Sequence, residues 1–300
     1  MSAKSYAYLR LAIAFTLATL CSAECALSLV FPSLKMSGIG MCALPVVTLL
    51  FCAYCVAKPP QRGLPGSVNS MAFTGLVLIC VAMPLTILAY PVCQLMVEAP
   101  AQGQLKTRMK EIGFAMHAYH DLHEHFPPSA VYNKDGMPLL SWRVALLPHL
   151  GHDDLYRQFK LDEPWDSPTN LPLAAQMPAI YAMPAPLADH TAANFTYLQV
   201  YVGRGTAFEG KEGISVKDFP DGTSNTVLVV VAPEPVLWTK PADLEFSAKV
   251  PLVLPKAGRS PFPTALFADA DVRSLPDSWT EDQWRAVITR NGGEPRPAEF

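Results

Sequence analysis

Residues 101–300 contain no cysteine; all seven cysteines lie between Cys21 and Cys93. That absence excludes disulfides, thiolate metal ligands and a thiol nucleophile from two thirds of the chain, and suits those residues to an oxidising compartment. Residues 1–100 are in turn short of charge. Lys4, Arg10, Lys35, Lys58 and Arg62 are their basic groups and Glu24 and Glu98 their acidic ones, far below an ordinary soluble surface. No basic run occurs that could track phosphates, which excludes nucleic acid as a partner. A Gly-x-Ser-x-Gly elbow, a phosphate-binding glycine loop and a His-Glu-x-x-His pair are also missing. The sequence therefore names no catalytic residue, no cofactor and no reaction.

What is there divides in two. Residues 101–300 hold 18 basic and 24 acidic groups, 21 of the 29 prolines and all seven histidines, the composition of one mildly acidic folded domain. Residues 1–100 hold apolar runs at 9–31, 39–56 and 71–95, each near the roughly 18 to 20 residues a helix needs to cross a bilayer. The expectation is a three-helix transmembrane region in contact with lipid. Lys4, Arg10, Lys58 and Arg62 against Lys35 place the N-terminus in the cytoplasm, so the large domain is expected on the extracytoplasmic, periplasmic side of the inner membrane. Glu24, inside the first run, is either a functional group or a residue at a helix end. Cys52 and Cys55 have redox spacing within an apolar run and are read as packing residues.

Within the polar domain, Leu105, Met109, Ile112, Met116 and Tyr119 recur at spacings of three and four and predict an amphipathic helix over 104–122, ending before Phe126-Pro127-Pro128. Asn133-Lys134-Asp135-Gly136 predicts a hairpin turn. Residues 142–150 with Leu155, Tyr156 and Phe159 predict short amphipathic helical pieces, 164–186 proline-rich loops. Strands are expected at 196–202, 214–219, 226–232 and 264–268. A helix followed by short strands is an α+β pattern. Residues 238–300, rich in proline and weak in periodicity, yield no element apart from the last of those strands.

The helix with Phe126-Pro127-Pro128, then Leu140-Ser141-Trp142-Arg143-Val144, then Phe159-Lys160-Leu161-Asp162-Glu163-Pro164-Trp165-Asp166-Ser167-Pro168, then Asp221-Gly222-Thr223-Ser224-Asn225-Thr226, resemble in order and spacing the family catalogued as domain of unknown function 1559, abundant in planctomycete bacteria. The resemblance covers about residues 104–275. It implies a fold like that of the pseudopilins of type II secretion, a long membrane-rooted helix leading into a small antiparallel sheet. Three departures stand out. The family's pilin-type leader is replaced by Ala14-Phe15-Thr16-Leu17-Ala18-Thr19, without the processing glycine and glutamate, so the three-helix anchor is expected in its place. Met183-Pro184 stands where the family has Cys-Pro. Asp269-Ala270-Asp271-Val272-Arg273 lacks the glycine of a tight turn.

Three constellations invite chemistry. His117 and His120 with Asp121 are candidate metal ligands, one helical turn apart and followed by His123, Glu124 and His125; the alternative, which we place first, is histidines satisfying a helix end. Asp162, Glu163 and Asp166 could act as paired carboxylates, or as turn residues around a packed Trp165. Asp221 to Thr226 could offer oxygens to calcium, or simply form a turn. The expected function is a non-enzymatic, extracytoplasmic structural or protein-interaction domain related to secretion pseudopilins, with other envelope proteins as partners. Two alternatives remain beside it. One is a solute- or ligand-binding module with a pocket near Trp142, Trp165 and Tyr181; the other is a metal-dependent enzyme using the histidines from His117 to His125.

Overall fold

The chain falls into two compact units, Met1–Val97 and Glu98–Phe300. The structure, a computed structural model, describes residues 99–184, 187, 193–247, 249–255 and 263–294. The apolar runs expected to span a membrane, with Glu24, Cys52 and Cys55, lie outside the described residues.

Helix α1 runs over 99–123. Its three-four stripe is buried: Ala101, Leu105, Met109, Ile112, Ala115 and Met116 are all at most 4% exposed. Burying each large member is worth about 1.5–3 kcal/mol. The opposite face carries Lys106, Lys110, Glu111 and Asp121, so α1 is amphipathic, not apolar all round. The helix ends at Glu124, which adopts the left-handed conformation at φ 66° and donates its backbone N–H to His120 O at 2.7 Å.

The hairpin of β1 (Ala130–Tyr132) and β2 (Pro138–Ser141) turns where the sequence places it. Asn133 Oδ1 accepts from Met137 N at 2.8 Å, and Gly136 takes φ 78°. The expected helical pieces are α2 (Trp142–Ala145), a 3-10 turn at Leu147–Leu150 and α3 (Asp153–Tyr156). β3 (Phe195–Gln199), β5 (Val227–Leu237), β7 (Thr264–Phe267) and β8 (Val272–Ser274) form one antiparallel sheet in the order β3-β5-β7-β8. β4 (Tyr201–Val202) pairs in parallel with β6 (Leu244–Glu245). Helix α4 (Glu281–Ile288) follows, started by a reciprocal cap between Thr280 and Gln283.

Both sheet faces are covered. Leu266 and Ala268 join the core that contains the stripe of α1, whereas Ala265 and Phe267 pack with Trp279, Trp284, Val287 and Ile288 at α4. The valine run of β5 follows from this, since a strand buried on both faces has no polar alternate. In β5 the alternation breaks at Leu228-Val229, which both face the first core; the register against β7 shifts there, as a bulge requires. Gly113 marks the close approach of α1 to the sheet. A Cβ there would stand 2.9 Å from Leu266 Cδ1 and 3.1 Å from Ala270 Cα.

Three expectations are corrected. The expected fold class, a transmembrane region with a pseudopilin-like domain, is corrected to a helix plus an antiparallel sheet, α+β: among the described residues no helix is long and apolar enough to cross a membrane, and α1 carries charge along one face. The segment 214–219 is not a strand but a 3-10 turn at Val216–Asp218, because its N–H at Val216 bonds His120 Nε2 (3.2 Å) instead of a neighbouring strand. The strand expected at 196–202 breaks at Val200, whose N–H donates to Asp243 Oδ1 at 3.1 Å; the chain then leaves the sheet for β6. In the opposite sense, β5 continues past Pro233 and Pro235, where a register shift against β3 accommodates residues that cannot donate.

Candidate functional site

The histidines do not converge. His117 Nε2 donates to Ala268 O at 2.9 Å on the sheet side, while His120 Nε2 accepts from Val216 N on the other. The two bonds demand opposite tautomers and point the rings at different segments. Asp121 is exposed. Among the described residues no group of three His, Cys, Asp or Glu side chains is placed to hold a metal ion. His123 and His125 instead gather with Tyr119 and with His149 from the 147–150 turn, a partner that sequence spacing could not supply. Tyr119 and His123 lie tilted against each other at 4.1 Å between centroids, and His149 meets the Tyr119 ring edge-on at 5.5 Å. Burial, and secondarily the nearby His123, hold the His149 imidazole below its ordinary value, against an opposing pull from Asp153. Burial raises the phenols of Tyr119 and Tyr156.

The Leu140–Val144 motif is a buried polar knot. Arg143 is fully buried and donates through Nε and Nη2 to Leu198 O, through Nη1 to Ser141 Oγ, and through Nη2 to Asp243 Oδ1 at 2.8 Å. Its guanidinium lies 4.6 Å from the Trp142 ring. Asp243 Oδ1 also receives Trp142 Nε1 at 3.3 Å. Burial raises the Asp243 carboxyl even beside Arg143. Tyr181, stacked on Trp238, donates its hydroxyl to Arg143 O. Trp142 and Tyr181 are thus core residues with their polar atoms engaged, and Trp165 lies half-buried under Lys240 Nζ.

The loop with Asp162, Glu163 and Asp166 is organised by a residue that the sequence left unremarked. Asn170, fully buried, donates through Nδ2 to Lys160 O, Glu163 O and Pro164 O and accepts Lys160 N on Oδ1. Ser167 Oγ accepts Asn170 N, while Asp162 and Asp166 remain exposed. The signal lay in the six to ten residues between Asn170 and these carbonyls, a reach suited to an amide closing a tight loop. The Asp221–Thr226 turn is similar. Asn225 Nδ2 bonds Asp221 O, Thr226 Oγ1 bonds Gly222 O, and Asp221 Oδ2 accepts Gly293 N at 3.2 Å. Its oxygens tie the turn to the C-terminal segment. At Asp269–Arg273, Ala270 takes φ 64° in the position that favours glycine, and the Arg273 guanidinium holds Asp271 below the usual carboxylate range.

Fold and motifs together define an α+β domain whose recurrent polar residues hold its own loops. Residues 104–232 match the family described as "Protein of unknown function (DUF1559)", the family that the motifs resemble. No curated protein and no solved structure matches the chain. The matched stretch ends inside β5, leaving Asp243, β6 to β8 and α4 beyond it.

Proposed function

We propose that the chain presents a non-enzymatic protein-interaction domain outside the cytoplasm, related in its work to the pseudopilins of secretion, with other envelope proteins as partners. The observation that supports it is a division of labour between buried and exposed groups. The polar side chains of the family motifs bond the chain's own backbone, as Arg143 and Asn170 show, whereas the outward face of α1 leaves Phe114 57% and Leu122 70% exposed. Large apolar side chains on an otherwise charged helix face are what a protein contact uses. The lack of cysteine in residues 101–300 suits display in an oxidising compartment.

A C-terminally tagged full chain tests the compartment. Protease added once the outer barrier is open, with the cytoplasmic membrane intact, is expected to remove the tag; protection until that membrane is broken would overturn the reading. Photo-crosslinking residues at Phe114 and Leu122, with Asp154 as an exposed control on another element, test the surface. Crosslinks at the first two positions that are missing at the third are expected, and equal yields at all three would count against it.

A further inference from the structure

Where α1 ends, three imidazoles and two phenols from separate parts of the chain meet. Around Tyr119 stand His123 at 4.1 Å, His149 at 5.5 Å and His125 at 5.9 Å between ring centroids, and His123 lies 6.1 Å from His125 and 6.5 Å from His149. Tyr156 on α3 is the second phenol, close enough to Tyr119 to raise it further. Tyr119, His125, His149 and Tyr156 are half-buried, and His123 is exposed. We propose that this cluster is a pH-sensitive latch: with His149 neutral it seats the 147–152 turn on the end of α1, and a charge on His149 among the neighbouring rings, brought by acidification, releases the turn.

The argument rests on what surrounds each ring. Like charges six ångströms apart and partly shielded from water repel, and the carboxylates nearby are exposed to solvent, which screens the compensation they give. On α3, Asp153 favours a charged His149, with Asp154 exposed beside it. On α1 the neighbours are Asp121 and Glu124, both exposed, and His152 adds another imidazole at the start of α3. Behind His125 the chain approaches closely at Gly213, next to Lys211 and Glu212, and His125 Nδ1 is already donated to Phe126 O at 2.8 Å. Because burial and His123 depress His149 in the fold, the unfolded turn takes up a proton at higher pH than the folded one. Stability of the latch is therefore present above the unfolded value of 6.5 and is lost as pH falls through it. Release would uncover Leu150 and Tyr156, which pack against the main core.

The test is hydrogen exchange with mass spectrometry on the full chain in EDTA, at pH 7.5 and 5.5 with rates corrected for intrinsic exchange. Protection at 119–125 and 147–156 is expected to fall severalfold on acidification, with β7 unchanged. His149→Gln is expected to abolish most of that fall. His123→Gln, on an exposed side chain, is expected to reduce it and carries the test if the first variant does not fold. Unchanged protection, an equal loss in β7, or the same pH response in the variants would overturn the latch.

Discussion

Asn170 and Lys160 exchange two hydrogen bonds across a ten-residue loop: the amide oxygen accepts Lys160 N and the amide nitrogen donates to Lys160 O, both at 2.9 Å. With two more carbonyls on the same nitrogen, one buried side chain organises the whole Lys160–Asn170 loop. Asn170→Ala is expected to lower stability by about 3 kcal/mol or more, since each buried group left without a partner costs roughly 1–3 kcal/mol. Asn170→Asp should be no milder, because a carboxylate accepts only and would face three carbonyl oxygens. Urea denaturation of the two variants checks both statements.

The ion pair between Arg143 and Asp243, 0% and 2% exposed, predicts asymmetric mutational costs. Asp243→Ala leaves a guanidinium buried without its counter-charge and is expected to cost about 3–5 kcal/mol. An Arg143→Met, Asp243→Leu double variant should lose less than the sum of its single variants. A double-mutant cycle in denaturant measures the difference.

Gly113 sets the distance between α1 and β7. Gly113→Ala places a methyl against Leu266 and the Ala270 backbone, and is expected to destabilise by about 1–3 kcal/mol although alanine is the better helix former. A variant as stable as the parent in thermal unfolding would show that α1 can withdraw freely.

Arg290 fastens the end of α4, donating to Thr206 O, Asp218 O and Glu209 Oε2 at 2.7 Å. Burial pushes Glu209 up, but the Gly205 N–H and the Arg290 guanidinium outweigh it and hold the carboxyl below 4.5. A depressed carboxylate contributes stability above its unfolded value and loses it as pH falls through the folded one. Arg290→Ala is thus expected to cost about 1–2 kcal/mol near pH 7, discounted for the pair's exposure. The deficit should shrink below pH 4.5, as denaturation at two pH values shows.

Sequence alone determined what is local. The three-four recurrence from Leu105 to Tyr119 produced α1 because a helix face is set by residues one turn apart, and Asn133 to Gly136 produced its hairpin because turn chemistry is complete within four residues. The motifs from Leu105 to Thr226 sufficed for the resemblance to the family whose model matches residues 104–232. A capping box at Thr280 to Gln283 was also legible and would have located α4 in the stretch left without an element. Tertiary structure decided everything that required distant partners. His117 and His120 share a helical face, yet one is claimed by Ala268 O, 151 residues on, and the other by Val216 N, 96 residues on. Asp243 broke a strand at Val200, and a register shift carried β5 through two prolines. Hydrogen-bond demand at buried groups is satisfied by whichever segment the fold brings near, and no spacing along the chain encodes which one that is.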